Sequence, residues 1–137
     1  MTNTIPTVGA GIELKPSPPL NGQAVTTPEF NREWDRVFAR LEEIRAYEED
    51  WDGEGSLAPR PGVVDGAITF SKSVRKSGES APLFANATDD GLIWLEWHFP
   101  TGTRVAEIVS AVEANVRSSP RNSKSTIEKI RILQSQS

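Results

Sequence analysis

The segment from Glu48 to Ser56 contains the residues of this sequence best suited to bind a metal ion. Asp50, Asp52 and Glu54 alternate along it, and a glycine follows at position 55. This spacing matches the first half of a calcium-binding loop, in which alternating carboxylates precede a glycine at the sharp turn. The last position of such a loop supplies a bidentate carboxylate, but Pro61 stands there. The sequence therefore favours a stiff corner between two helices, with a calcium-stabilised domain as an alternative.

A second candidate chemistry pairs Glu96 with Asp52, as the carboxylates of a small hydrolase or a carbohydrate-handling enzyme. Glu96 lies between Trp94 and Trp97, which would desolvate it, and glycosidases need one carboxyl group with a raised pKa. The competing interpretation is a glutamate on the rim of a sheet that pairs with an arginine of the neighbouring strand, such as Arg104. Nothing in the linear sequence places Asp52 opposite Glu96, so the rim interpretation is favoured and no catalytic residue is assigned.

Several other chemistries lack the residues that they require. The chain has no cysteine and a single histidine, His98, which excludes thiolate zinc sites, cysteine nucleophiles and histidine-rich metal sites. No phosphate-binding glycine loop precedes a helix. The sequence therefore predicts no metal and no cofactor, and it gives His98 a polar role near the end of a strand.

Length and charge restrict the class of partner. The 137 residues are enough for one domain. Nucleic acid is an unlikely partner because the net charge is −4, whereas nucleic-acid-binding proteins normally carry a basic face. No run approaches the roughly 20 apolar residues of a membrane span, and the N-terminus does not have the pattern of a signal peptide. We expect a cytoplasmic protein whose partner is another protein and not a membrane.

Two amphipathic helices are expected at the start of a single domain, residues 27–134. The first begins after Thr27, a good N-cap that precedes a proline, and its apolar residues recur at helical spacing up to the glycines of the corner. The second begins near Pro61 and ends before Gly78. Residues 1–26 are rich in proline and without periodicity, so they are expected to form a disordered or extended tail, and residues 135–137 a second one.

The apolar period changes to two after Pro82, which indicates strands. The predicted strands are 83–87, 92–99, 103–109, 112–117 and 125–134, although helices remain open for 103–117 and for 125–134. Alternation places Ile93, Leu95, Trp97 and Phe99 on one face of the second strand, and Leu92, Trp94, Glu96 and His98 on the other. The predicted fold is α+β, with two N-terminal helices packed on a four- to five-stranded antiparallel sheet.

An ordered set of short motifs resembles a group of small, largely uncharacterised bacterial and phage proteins. The matching segments are Trp51–Pro59, Ala81–Pro82, Asp89–Phe99 and Thr103–Ile108. The shared pattern is a Trp-Asp-Gly-x-Gly corner between two helices, a strand that starts at proline, and an Asp-Gly…Leu-Glu-Trp strand. The chain departs from it at Ser56, where the pattern has alanine, and at Leu92, where glycine is frequent. The resemblance implies a bacterial or phage source and brings no established activity. It also suggests that the corner docks Trp51 on the tryptophan-rich sheet, with Gly53 and Gly55 supplying positive φ angles.

These observations favour a non-catalytic protein-interaction module. The expected binding residues are the outward side chains of the second strand, Leu92, Trp94, Glu96 and His98, together with Asp52 of the corner. Exposed aromatic patches often mark binding surfaces. The implied source suggests a more specific role, an accessory or antitoxin-like protein of a bacterial or phage conflict system.

Overall fold

Two helices followed by a five-stranded antiparallel sheet form the described part of the chain, residues 27–133 of the computed structural model. The elements are α1 (Pro28–Arg45), α2 (Pro61–Lys76), β1 (Phe84–Ala87), β2 (Ile93–Phe99), β3 (Gly102–Ser110), β4 (Glu113–Pro120) and β5 (Thr126–Arg131). Strands that follow one another in the sequence are neighbours in the sheet, so its topology is a meander. The predicted α+β class is confirmed, and the two predicted tails lie outside the described residues.

Helix α1 begins where the sequence predicts and ends earlier. The hydroxyl of Thr27 accepts the N–H of Phe30 at 3.0 Å, and a proline occupies the first turn. The helix was expected to reach the glycines of the corner, and this boundary is wrong, because α1 ends at Arg45. Acidic residues at positions 48–50 would meet the negative end of the helix dipole if the helix continued. The chain instead leaves the helix before them.

Helix α2 approaches the sheet closely at Gly66. A Cβ atom at this position would overlap the carbonyl oxygen of Ser110, at the end of β3. Glycine is therefore required here by close packing, one of the two explanations open for a glycine within a helix. Gly78 follows the C-cap with a φ of 90°, as predicted for the residue that ends this helix.

The helices cover one face of the sheet, and the core lies between them. Trp34 of α1 is fully buried and Trp97 of β2 is 2% exposed, which confirms both as core residues. Their indole N–H groups donate to the carbonyl oxygens of Glu79 and Ser80, each at 2.9 Å. The inward row of β2 is completed by Ile93 and Leu95, both fully buried. The segment that joins α2 to β1 therefore supplies the hydrogen-bond acceptors for the indole N–H groups of both Trp34 and Trp97.

The segments for which the sequence allowed either a helix or a strand form strands. Along β3, Arg104, Ala106 and Ile108 are buried, whereas the residues between them are partly exposed. This period of two belongs to a strand with one covered face, so a helix over 103–117 is wrong. The strand preferred for 125–134 is observed as β5. Within residues 27–133, neither helix is long and apolar enough to cross a membrane.

Candidate functional site

The sheet face opposite the helices is a continuous surface that neither helix of the described chain covers. Both helices pack on the other face, α1 against β1 and α2 against β2 and β3. Side chains on the opposite face, called here the outward face, range from half-buried to exposed. This surface belongs to all five strands, and the pairing register determines which side chains meet on it.

One row of cross-strand neighbours runs across the whole outward face. It consists of Phe84, Glu96, Val105, Arg117 and Ile127, one residue from each strand in sheet order. Its two ends are apolar and exposed, with Phe84 at 46% and Ile127 at 65%. The row therefore alternates apolar and charged side chains, with the acid and the base on opposite sides of a central valine. We call it the central row.

A second row lies beside the central row, nearer to the β1–β2 hairpin. It consists of Asn86, Trp94, Glu107, Asn115 and Lys129. Trp94 is half-buried in it, and its indole N–H bonds to Glu96 of the central row. The two rows together enclose a shallow depression of about 120 Å³, lined by Trp94, Val105, Glu107, Asn115, Arg117 and Ile127. Sites for small molecules usually have volumes of about 300–1,000 Å³, so this depression is small for such a ligand.

Three of the predicted residues, Trp94, Glu96 and His98, form a hydrogen-bonded cluster on the outward face. The indole N–H of Trp94 donates to Oε1 of Glu96 at 2.8 Å, and Nε2 of His98 lies 2.6 Å from Oε2 of the same carboxylate. The hydrogen bond with His98, and then that with Trp94, holds the pKa of Glu96 below its usual range. The ring of Phe84 meets the ring of His98 edge-on, with centroids 5.9 Å apart. Glu96 is thus an ionised acceptor that orients two aromatic side chains.

The expected pairing of Glu96 with Arg104 is wrong. In the β2–β3 register Arg104 stands opposite Trp97, whereas Glu96 stands opposite Val105. Because neighbouring residues of a strand point to opposite faces, Arg104 points to the helix side. It is 3% exposed, and its Nη1 donates to Oε1 of Glu79 at 2.9 Å. The guanidinium also lies 5.1 Å and 5.2 Å from the ring centroids of Trp97 and Phe99. The strand thus directs one arginine into the core instead of toward the outward face.

The corner between the helices uses its carboxylates as turn acceptors. Oδ2 of Asp52 accepts the Ser56 hydroxyl at 2.5 Å, and Oδ1 accepts the N–H of Glu54 at 2.9 Å. These hydrogen bonds, the one from Ser56 first, lower the pKa of Asp52 below its usual range. Gly53 and Gly55 have φ angles of 77° and 83°, as expected for this corner. Within residues 27–133, no group of three or more acidic or histidine side chains is arranged to hold a metal ion.

Trp51 anchors the corner on a different partner from the one expected. It was predicted to dock on the tryptophans of the sheet, but its ring stacks on Tyr47, with centroids 4.9 Å apart. Its indole N–H donates to the carbonyl oxygen of Leu57 at 2.9 Å. Tyr47 lies just beyond the C-cap Ala46, outside α1. The corner is therefore held by contacts of its own and not by the tryptophans of the sheet.

The remaining predicted site residues lie at the margin of this surface or away from it. Leu92 is half-buried in the turn before β2, where Thr88 binds both its N–H and its carbonyl oxygen. The side-chain hydrogen bonds of Asp52 are confined to the corner, with Glu54 and Ser56. The sequence missed Val105, Arg117 and Ile127 as members of the outward face. Alternation along β3 could have placed Val105 on the outward face. Only the pairing register shows that the three residues lie in one row.

Comparisons with known proteins identify no relative. No family model matches the chain, and no curated protein and no solved structure match it.

Proposed function

We propose that the protein is a non-catalytic protein-interaction module that binds a partner through the outward face of its sheet. The observation that carries this proposal is the continuous five-strand surface, on which exposed Phe84 and Ile127 and half-buried Trp94 accompany charged side chains. Apolar patches rimmed by polar residues mark interaction sites on protein surfaces. A shallow surface of this composition suits another protein better than a small molecule.

Trp94 is the expected anchor of this interface. Its hydrogen bond to Glu96 fixes the indole in one orientation, and Glu96 is itself held by His98. A side chain that is ordered before binding loses less conformational entropy when the partner arrives. Tryptophan is also among the residues most enriched at the energetic centres of interfaces. The cluster is therefore a preorganised contact.

The states of the two candidate carboxylates support a non-catalytic role. A glycosidase needs one carboxyl group with a raised pKa, which acts as the general acid. Hydrogen-bond donors lower the pKa of both Asp52 and Glu96 instead. Both groups are ionised near neutral pH and accept hydrogen bonds from within the domain. The calcium alternative is disfavoured because Pro61 stands where a calcium loop supplies its bidentate carboxylate.

Two finer expectations stay predictions from the sequence. One is the accessory or antitoxin-like role in a bacterial or phage conflict system, and the other is the cytoplasmic location. A protein-binding surface is compatible with the first and independent of the second.

The proposal is tested by truncating one surface tryptophan at a time. Immobilised full-length protein, its Trp94→Ala variant and its Trp51→Ala variant would be compared for capture of the same partner from a cell extract. We expect Trp94→Ala to lose the partner, since truncation of such an anchor costs about 2 kcal/mol or more. Trp51 is the matched control, because it is a half-buried tryptophan of the corner. Equal capture by folded Trp94→Ala protein would contradict the proposal.

Fluorescence provides a second test that needs no partner. Acrylamide should quench the emission of Trp94 in the wild-type protein, and the quenchable fraction should fall in Trp94→Ala. If Trp94→Ala leaves that fraction unchanged in dilute, monomeric protein, Trp94 is covered by its own chain and the outward face is not free to bind.

A further inference from the structure

The central row of the outward face has a symmetry of chemical type. From β1 to β5 it reads apolar, acidic, apolar, basic, apolar, as Phe84, Glu96, Val105, Arg117 and Ile127. When a reversed copy of the row is laid against the original, each apolar residue faces an apolar residue and each charged residue faces one of opposite charge. A row with this property is complementary to a second copy of itself.

We propose that the partner of the outward face is a second copy of this chain, bound in a two-fold symmetric dimer. This inference rests on the proposed function, since it names the partner of the same surface. The two-fold axis runs parallel to the strands and passes between the two β3 strands at Val105. In a symmetric dimer both subunits use the same patch, so each contact occurs twice. Phe84 then faces the partner's Ile127, and Glu96 faces the partner's Arg117.

The charges select this axis over the other simple arrangement. A two-fold axis perpendicular to the strands would place β2 over the partner's β2, with Glu96 against the partner's Glu96. Like charges in direct opposition across an interface are strongly unfavourable. The axis parallel to the strands instead reverses the strand order of the partner, so that β2 lies over the partner's β4. Glu96 then faces the partner's Arg117. The order of charges therefore specifies the orientation of the dimer.

Both members of this ion pair are available on the isolated chain. Within residues 27–133, the guanidinium of Arg117 has no hydrogen-bond or ion-pair partner, and the side chain is exposed. Glu96 is held ionised, and each of its oxygens accepts one hydrogen bond, from Trp94 or with His98. A carboxylate has about four acceptor positions, so it can still receive a guanidinium from outside. The unused arginine and the unfilled acceptor positions are complementary.

The second row of the outward face contains one unfavourable contact. Trp94 would lie over the partner's Asn115, which is neutral, but Glu107 would lie near the partner's Glu107. Packed sheets cross at an angle of about 30°, which separates residues that lie away from the crossing point. The carboxylates of Glu107 are thus displaced sideways from each other, and they weaken the dimer without preventing it.

The area of the face indicates a weak dimer. Five strands about 4.8 Å apart, each contributing about seven residues at 3.3 Å, give a projected area of roughly 550 Å² per subunit. Stable specific interfaces bury about 800 Å² on each partner, and smaller ones are transient. We therefore expect a dissociation constant in the micromolar range for the full chain.

Charge reversal of the two facing residues is the decisive experiment. Sedimentation velocity of the full-length protein should show a concentration-dependent dimer, and Arg117→Glu and Glu96→Arg should each raise the dissociation constant by about 100-fold or more. An equimolar mixture of the two variants should restore the dimer, because each heterodimer contains two opposite-charge pairs. Lys72→Glu, the same charge change on an exposed position of α2, is the control and should leave the dissociation constant unchanged.

Additional variants keep the test informative if Glu96→Arg disturbs folding. Arg117→Glu mixed with Glu96→Gln forms a heterodimer with one ion pair and no like-charge pair, so it should associate better than Arg117→Glu alone. Glu107→Gln removes the unfavourable contact and should tighten the wild-type dimer several-fold. Both results would be expected only if the two outward faces meet in the proposed orientation.

The outcomes separate failure of the dimer from failure of the proposed function. A wild-type chain that stays monomeric while acrylamide quenches Trp94 overturns the dimer and leaves the surface free for a different protein. A dimer that Arg117→Glu leaves intact overturns the proposed interface. A monomer in which Trp94 is shielded shows that the chain covers its own face, and this result overturns both the dimer and the protein-binding role.

Discussion

The two faces of the sheet each contain a tryptophan, a carboxylate and a cationic or potentially cationic side chain, in opposite environments. On the helix side, Arg104 and Glu79 pair beneath Trp97 and are almost fully buried. On the outward side, Trp94, Glu96 and His98 are bonded to one another and partly exposed. Similar side chains thus contribute to different properties. The buried cluster ties the segment between α2 and β1 to the sheet, whereas the exposed one retains surface for contact with another molecule.

Truncation of one tryptophan on each face tests this contrast with the largest expected effect. Trp97→Ala should cost about 3–5 kcal/mol of unfolding free energy, as expected for a buried aromatic residue. Trp94→Ala should cost about 1 kcal/mol or less, because the side chain keeps part of its surface in water. Denaturant unfolding at low protein concentration measures both values with little contribution from dimerisation. Equal losses would mean that both tryptophans belong to the core.

The two arginines of neighbouring strands give a second paired test. Arg104→Met leaves Glu79 buried without its cation and should cost at least about 3 kcal/mol. Arg117→Met removes an exposed side chain and should change stability by less than about 0.5 kcal/mol. The double variant Glu79→Leu with Arg104→Met should recover much of the loss, since no buried charge remains unpaired. An Arg104→Met protein as stable as wild type would show that the pair contributes little to holding the layers together.

Gly66 tests how closely the helix side is packed. Gly66→Ala would normally favour a helix by about 1 kcal/mol, but its Cβ would overlap the Ser110 carbonyl oxygen. We expect a net destabilisation of about 1–3 kcal/mol, typical of overpacking. Calorimetric melting measures the change, and Gly62→Ala is the control variant. A Cβ at Gly62 would meet only the Ala111 methyl, at an ordinary distance of 3.8 Å. A stabilised Gly66→Ala variant would mean that α2 can move away from β3.

The smallest expected effect is the pH dependence of the outward cluster. Because hydrogen bonds lower the pKa of Glu96 in the folded state, their contribution to stability is present above the unfolded value of about 4.3. It is lost as the pH falls through the folded value. Wild type should therefore exceed Glu96→Gln by less than about 1 kcal/mol near neutral pH, and the difference should shrink as the pH falls through the lowered pKa of Glu96. A difference that persists in acid would show that the ionised carboxylate is not its source.

Local patterns were sufficient to predict the elements, and they were insufficient for the contacts between distant segments. Helical spacing from Phe30 to Ile44 and alternation along β2 depend only on neighbouring residues, so they determined the fold class and the placement of Trp34 and Trp97. The pairing of Arg104 with Glu79 spans 25 positions, and no local pattern indicates it. Glu96 was matched with the wrong arginine because a shift of one residue in strand register reverses the face.

The same limit applies to the candidate surface. Trp94 and Glu96 were predicted on the outward face from alternation within one strand. Arg117 and Ile127 join them only through the registers of two further hairpins, which depend on turn geometry as well as on composition. The self-complementary order of the central row is a property of the assembled sheet. It depends on the register of all four strand pairs, so no single strand contains it.

The meander order of the sheet has a consequence for the folding pathway. Only residues 100–101 separate β2 from β3, and only residues 111–112 separate β3 from β4, so closing these hairpins costs little chain entropy. Contacts between residues close in sequence also favour rapid folding. The sheet can grow one hairpin at a time, whereas the helices must find their place on it across a longer stretch of chain. We therefore expect the docking of the helices to be the slower step, because it requires the carboxylate of Glu79 to lose its water as Arg104 is enclosed.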